Sequence, residues 1–227
     1  MNDLKLSALS RQIIAQLSSS DIGSFIDTAL DPPSPFRGTG DIKLIVLGQD
    51  PTVQDPKYRE AVRVTLLLNQ PGRLRTYLQK VCGGLGISLD ENVYATNLLK
   101  NFFKVPPDSL RKKDPQFFLK AAAHWIPLLQ EEIREFPNVP VLPLGEPVLN
   151  CLVESPRWML IRDYWGYEGP GKYGLNFRRI KPSENILGRV IYPFPHIPGL
   201  SHRIYRSRME AYVAFMKKEA GKVLAHS

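Results

Sequence analysis

Short apolar runs alternate along this chain with longer segments whose apolar residues recur at helical spacing. The apolar runs predict buried strands at 42–48, 93–97, 139–144 and 189–193, with a weaker strand signal at 157–161 and, at 62–68, either a strand or the edge of a loop. The helical spacing predicts helices at 4–17, 20–29, 73–86, 115–135, 146–153 and 202–219. The Gly-, Tyr- and Trp-rich segment 163–176 is interpreted as a loop.

Strands that alternate with helices are typical of an α/β fold with a mostly parallel sheet. We therefore expect a three-layer α/β/α sandwich around a central sheet of four or five strands. One domain over residues 1–227 fits this length, with 1–40 as an N-terminal helical segment followed by a Pro-rich entry loop.

The first strong strand runs directly into a turn that holds a carboxylate. Residues 42–52 read Ile-Lys-Leu-Ile-Val-Leu-Gly-Gln-Asp-Pro-Thr. Pro51 moves the preceding Asp50 away from helical backbone angles. Because ligands bind at the carboxyl ends of strands in open α/β sheets, Asp50 lies where a site is expected. The alternative is a loop aspartate that makes only a turn hydrogen bond.

Three other predicted strand ends offer further candidate groups. Residues 190–201 read Val-Ile-Tyr-Pro-Phe-Pro-His-Ile-Pro-Gly-Leu-Ser and present His196, one of four histidines in the chain. A turn histidine is the alternative there. Asn97 ends the strand 93–97, where it would otherwise cap the next turn, and Gly145 follows the strand 139–144.

These segments resemble motifs of the uracil-DNA glycosylase superfamily. Gly-Gln-Asp-Pro at 48–51 is similar to the water-activating motif, and 196–201 resembles the His-Pro-Ser-Pro-Leu-Ser motif at its His, Leu and Ser. Tyr-Ala-Thr-Asn-Leu at 94–98 resembles the strand that carries the base-reading Asn. The resemblance extends from about residue 42 to 215, with the elements in the same order.

The resemblance implies a DNA repair enzyme that hydrolyses the N-glycosidic bond of a flipped-out uracil and leaves an abasic site. Asp50 would orient or deprotonate the water and stabilise the oxocarbenium-like sugar. His196 would donate a hydrogen bond to the departing base. Asn97 would read the uracil edge, because an amide offers both a donor and an acceptor. Gln49 and Thr52 would line the same base pocket.

The same resemblance assigns DNA contacts. Leu200 would fill the gap that the flipped nucleotide leaves in the duplex, while Ser201 and the amides around Gly145 would bind the flanking phosphates. No metal or cofactor is expected. The two cysteines, Cys82 and Cys151, cannot supply four thiolates to an iron–sulfur cluster, and we expect both to be free buried thiols.

The chain departs from the best-known branch of the superfamily in the base pocket. Thr52 stands where that branch has a Tyr that blocks the methyl group of thymine, and the segment 64–68 lacks the Phe on which uracil stacks. The candidates for a replacement stacking surface are Tyr58, Phe102, Phe103, Tyr164 and Trp165.

Three alternatives to uracil excision remain open. The chain could be a glycosylase for mispaired thymine, hypoxanthine or a damaged pyrimidine, or a DNA-binding relative that has lost catalysis. Retention of Asp50 together with His196 argues against the inactive relative, since binding needs neither. A flavodoxin-like nucleotide-binding protein is disfavoured because no Gly-x-Gly-x-x-Gly or Walker-type loop follows a strand.

The charge of the chain favours a polyanionic partner. The formal net charge is +8 and the isoelectric point is about 9.5. Arg203, Arg206 and Arg208 follow the His196 segment, so we predict phosphate contacts there, with a solvated basic helix face as the alternative. Single- or double-stranded DNA is the expected partner of a monomer. Without a signal peptide or an apolar membrane-length segment, a bacterial-type, cytoplasmic and nucleoid-associated protein is expected.

Overall fold

Two fully buried strands form the centre of the sheet in the computed structural model, which describes residues 1–53, 55–114, 116–196 and 203–224. Strand β3 (Leu44–Gly48) pairs in parallel with β4 (Val93–Asn97), and every residue of both strands is buried. Burial on both faces explains why these two segments are continuous apolar runs rather than alternating ones.

Among the described residues, the sheet has four strands in the order β2-β4-β3-β6, where β2 is Phe36–Arg37 and β6 is Val141–Pro143. Strand β6 pairs in parallel with β3, and the short β2 pairs antiparallel with β4 at the outer edge. Residues 190–194 continue beyond β6, where Val141 bridges Ile191 and Leu144 bridges Phe194, both in parallel. Four parallel chain segments therefore end at the same edge of the molecule.

The helices form two packing groups, which is consistent with cover on both faces of the buried strands. Helix α5 (Phe117–Ile133) contacts α1 (Asp3–Ser18), α4 (Pro107–Lys113) and α6 (Glu146–Leu152), whereas α2 (Arg73–Leu85) contacts α3 (Leu89–Asn92) and α7 (Arg203–Leu224). The α/β class predicted from the sequence is confirmed. The strands are Ile26–Asp27 (β1), Phe36–Arg37 (β2), Leu44–Gly48 (β3), Val93–Asn97 (β4), Phe102–Phe103 (β5), Val141–Pro143 (β6), Trp165–Gly169 (β7) and Lys172–Phe177 (β8). The α-helices are Asp3–Ser18 (α1), Arg73–Leu85 (α2), Leu89–Asn92 (α3), Pro107–Lys113 (α4), Phe117–Ile133 (α5), Glu146–Leu152 (α6) and Arg203–Leu224 (α7).

Three local predictions are wrong. A fourth segment, 62–68, was expected to be a strand or the edge of a loop, and it contains a 3₁₀ turn (Thr65–Leu67) in which Leu66 and Leu67 adopt left-handed φ angles of 59° and 53°. The segment 163–176, expected to be a loop, forms most of the hairpin β7–β8, in which Gly169 at the end of β7 and Gly171 in the turn both have positive φ. The strand expected at 157–161 is absent from the described residues, and a 3₁₀ turn begins at Ile161. A 3₁₀ turn that leads into β1 replaces the helix expected over 20–29.

Among the residues that the structure describes, no helix combines the length and the apolar character needed to cross a membrane.

Cys82 and Cys151 are free thiols, as predicted, and both are buried in the core. Burial raises the pKa of each thiol to about 12. Because the thiolate is the reactive form, we predict that Ellman's reagent at pH 8 reacts slowly with the native protein. The denatured chain should titrate two thiols under the same conditions. A native reaction as fast as the denatured one would show that the core around these residues opens readily.

Candidate active site at the carboxyl edge of the sheet

The predicted site residues meet at one edge of the sheet. Gly48 and Asn97 are direct partners at the ends of β3 and β4. Gly145 follows β6, and its N–H donates to the carbonyl of Phe194 at 2.8 Å, two residues before His196. With about 4.8 Å between neighbouring strands, the ends that carry Asp50 and His196 are about 10 Å apart. The end of β6, followed by Gly145, lies between them.

Hydrogen bonds hold both carboxylate oxygens of the half-buried Asp50. The side-chain amide of Gln49 donates to Oδ1 at 2.8 Å, and the backbone N–H of Thr52 donates to Oδ2 at 2.9 Å. The second bond is the turn hydrogen bond considered as the alternative interpretation. It also fixes the rotation of the carboxylate, so the turn presents Asp50 in one orientation.

Gln49 and Thr52 connect this turn to the segment after β4. The carbonyl of Gln49 accepts from the N–H of Leu99 at 2.9 Å, and Thr52 Oγ1 accepts from the N–H of Phe103 at 2.8 Å. The amide of Gln49 and the hydroxyl of Thr52 are thus engaged in protein contacts. Their predicted role in lining a base pocket stays a prediction, but their observed role is to position Asp50.

Asn97 carries a buried amide without a visible partner. The residue is 1% exposed, and neither Nδ2 nor Oδ1 has a hydrogen-bond partner in the described part of the chain. The cap considered as its alternative role is therefore not formed. A Cβ atom on Gly48 would lie 2.3 Å from Asn97 Oδ1, so the amide lies directly over the end of β3. Such an amide can pair with the imide edge of a base.

A buried ammonium group fixes the backbone of Asn97. Lys100 Nζ donates to the carbonyl of Asn97 at 3.1 Å and to Thr96 Oγ1 at 2.7 Å, and it lies 2.6 Å from Glu132 Oε2. Glu132 also accepts from the hydroxyl of Tyr94 at 2.8 Å. The pKa of that hydroxyl is raised well above its ordinary value, mainly by burial and secondly by the nearby Glu132 carboxylate. Tyr94 therefore remains a hydrogen-bond donor.

This ion pair was missed in the sequence. Lys100 and Glu132 are only 4% and 2% exposed, although lysine and glutamate rarely occupy such positions unless they are paired. The available signals were a lysine directly after the apolar pair Leu98-Leu99 and a glutamate on the apolar helix α5. Neither signal shows that the two residues meet.

His196 is exposed and follows the segment 190–194, which makes isolated bridges instead of the continuous strand predicted over 189–193. A Cβ atom on Gly145 would lie 3.6 Å from the Cβ of His196, and Gly145 has a φ of +99° that favours glycine. Because the Gly145 N–H already donates within the sheet, a phosphate would have to use the amides that follow it. Leu200 and Ser201 lie outside the described residues.

Four of the five aromatic residues predicted as stacking candidates belong to the core instead. Phe102, Phe103, Tyr164 and Trp165 are all buried, and Trp165 stacks on Tyr212 with ring centroids 4.1 Å apart. Tyr58 is 58% exposed and is the candidate of this set that remains accessible.

The basic residues of α7 divide into two roles. Arg208 donates to the carbonyls of Tyr173, at 2.5 Å, and Gly174, so it fastens the hairpin β7–β8 to the helix. Arg206 is exposed, and the phosphate prediction rests mainly on it, since the side chain of Arg203 is not among those described. In the 3₁₀ turn before β7, the guanidinium carbon of Arg162 lies 4.4 Å from the ring centroid of Tyr167, a contact that no sequence pattern predicts.

Comparison with known proteins adds no relative. No family model matches this chain, and no curated protein matches it. The residues at the sheet edge therefore carry the functional inference.

The Lys100–Glu132 pair makes a prediction about stability. Replacing Lys100 by Met leaves the Glu132 carboxylate buried without its counter-ion, which we expect to lower the free energy of unfolding by about 3–5 kcal/mol. Adding Glu132→Gln removes that charge and should restore part of the loss. Urea unfolding followed by tryptophan fluorescence measures both variants.

The exposed Lys80 on α2 provides the control, because Lys80→Met should change the unfolding free energy by less than about 0.5 kcal/mol. A Lys100→Met variant as stable as the Lys80→Met variant would show that the ion pair does not support the strand end.

Proposed function

We propose that this protein is a DNA glycosylase that releases uracil from DNA by hydrolysis, as its resemblance to the uracil-DNA glycosylase superfamily implies. One observation carries the proposal. An oriented carboxylate, Asp50, follows β3, and a buried amide without a described partner, Asn97, ends the adjacent strand β4, where it pairs with Gly48. A binding protein needs no such carboxylate, and a structural amide would have hydrogen-bond partners.

Asp50 supplies the chemistry at the sugar. Cleavage of an N-glycosidic bond develops positive charge on the sugar, and a fixed carboxylate stabilises that charge. The bonds from Gln49 and Thr52 hold the carboxylate in one orientation before substrate binds, so little reorganisation is required. The same carboxylate can orient the attacking water or take a proton from it.

His196 and Asn97 act on the base. As the sugar–base bond breaks, negative charge develops on the uracil, and a donor from His196 stabilises it. The Asn97 amide accepts from N3–H and donates to O4 of uracil, whereas cytosine presents the opposite pattern at these two positions. This pairing would satisfy both buried amide atoms at once.

DNA binding supplies the energy needed to extract the base. Flipping a nucleotide costs a few kcal/mol, least where the base is mispaired or single-stranded. The net charge of +8 and exposed cations such as Arg206 offer phosphate contacts that offset this cost.

Mispaired thymine is the second candidate substrate. Uracil and thymine share the imide edge that an amide reads, and they differ only in a methyl group. Thr52 is smaller than a tyrosine and its hydroxyl is engaged with the Phe103 N–H, so it offers no ring that excludes this methyl. A hydrophobic pocket discriminates a methyl by only about 1–3 kcal/mol.

Oligonucleotides that carry one uracil, one mispaired thymine or one hypoxanthine test the function directly. After incubation with the protein, alkaline cleavage reveals abasic sites, and we expect uracil to be released fastest. Asp50→Asn should slow that release by orders of magnitude with nearly unchanged DNA affinity, because Asp50 acts on the cationic transition state.

Asp41→Asn is the matched control, since Asp41 is an exposed aspartate just before the same strand. The proposal would be contradicted if the wild type released none of the three bases, or if Asp50→Asn released uracil at the wild-type rate.

His196→Ala should slow the chemical step in single-turnover reactions, and most for the poorest leaving groups. The reason is that its hydrogen bond stabilises the charge on the departing base. The exposed His124 on α5 gives the control His124→Ala. Equal single-turnover rates for the two variants would make His196 a turn residue.

Arg206→Ala should weaken DNA binding without regard to sequence. Loss of one phosphate contact should reduce the slope of log affinity against log salt by about 0.9 on duplex DNA. Arg134, which is exposed at the end of α5, provides the control Arg134→Ala. A slope that is the same in both variants would place Arg206 on a solvated helix face.

A further inference from the structure

The buried Asn97 amide must become accessible before any ligand can use it. In the free protein the residue is 1% exposed, and among the described residues no group pairs with either of its amide atoms. A buried polar group without a partner is unfavourable, so native structures rarely retain one without a functional reason. The question is what separates this amide from solvent.

The side chains of Leu66 and Asn97 both lie against Gly48 at the end of β3. A Cβ atom built on Gly48 would lie 2.7 Å from Leu66 Cδ2 and 2.3 Å from Asn97 Oδ1. The leucine tip and the amide oxygen therefore converge over the same backbone position. Leu66 is only half-buried, so its outer part faces solvent while its tip covers the end of β3.

The backbone of this cover is strained between two fixed neighbours. Leu66 has φ 59° and ψ 13°, and Leu67 has φ 53°, which is the left-handed region that leucine rarely adopts. The N–H of Thr65 donates to the carbonyl of Ser34 at 2.8 Å, and the guanidinium of Arg75 holds the carbonyl of Leu68. A change of φ at the two leucines would leave these two anchors in place but would break the bonds within the turn, from the Leu67 N–H to the carbonyl of Val64 and from the Leu68 N–H to the carbonyl of Thr65.

We propose that Leu66 is the gate of the base pocket: it closes over Asn97 in the free protein and swings away when a uracil-like imide edge enters. This inference rests on the proposed function. It assigns Leu66 a part in specificity, because the space that it vacates determines which bases reach the amide. Because only open molecules can bind uracil, the apparent affinity is the affinity of the open state multiplied by the fraction of molecules that are open.

Two glycine variants distinguish the effect of removing the Leu66 side chain from the effect of relieving the backbone strain. Leu66→Gly removes the cover and tolerates the left-handed backbone, whereas Leu67→Gly relieves the same kind of strain and leaves the cover in place. Calorimetric titration of the full chain with free uracil is the measurement. We expect Leu66→Gly to bind uracil at least about tenfold more tightly than the wild type, and Leu67→Gly to stay within about twofold.

Two further variants secure the interpretation. Leu66→Asn also tolerates left-handed angles and serves if the glycine variant does not fold. Asn97→Leu in the Leu66→Gly background should abolish the gained binding if the uracil sits on the amide. Equal affinity in wild type and Leu66→Gly, equal tightening by both glycine variants, or weaker binding by Leu66→Gly would each overturn the gate.

The release assay keeps this test separate from that of the proposed function. If Leu66→Gly gains uracil binding and no form of the protein releases a base from DNA, the gate stands and the glycosylase assignment fails. If the wild type releases uracil and Leu66→Gly neither binds uracil more tightly nor changes that release, the assignment stands and the gate fails.

Discussion

The absence of a side chain at Gly48 is the constraint on which the candidate site depends. A Cβ atom there would lie 2.3 Å from the amide oxygen of Asn97, so any other residue at the end of β3 would displace the amide. The same open position admits the tip of Leu66. Parallel pairing of Gly48 with Asn97 then places the amide one strand away from the turn that carries Asp50. The absence of a Cβ atom at Gly48 thus allows the Asp50 carboxylate and the Asn97 amide to lie at the same edge of the sheet.

Buried polar contacts stiffen this edge from behind. Lys100 binds the carbonyl of Asn97 and pairs with Glu132 at 2.6 Å, and Thr52 accepts from the segment after β4. An isolated buried ion pair contributes little net stability, because desolvation offsets its attraction. Its value here is geometric, since it fixes the strand end from which Asn97 projects. We interpret Lys100 and Glu132 as positioning residues for the proposed chemistry.

The sequence predicted the sheet well because buried parallel strands are continuous apolar runs, and it placed Asp50, Asn97, Gly145 and His196 at one edge because strand ends converge in this topology. It failed where a contact between distant segments decides the outcome. The pairing of Lys100 with Glu132 and the left-handed angles of Leu66 leave no local pattern. The hairpin β7–β8 was hidden because its glycines and aromatic residues also suit a loop.

The proposal that Asn97 reads an imide edge beside Asp50 is tested most directly by a crystal structure of a trapped complex. The ligand would be a DNA strand that carries 2′-fluoro-deoxyuridine, whose electron-withdrawing fluorine slows cleavage of the glycosidic bond. The account predicts that the Asn97 amide bonds to N3–H and O4 of the flipped uracil, with the Asp50 carboxylate beside the anomeric carbon and Leu66 displaced from Gly48. A uracil bound elsewhere, with Asn97 still covered by Leu66 and without a partner, would contradict it.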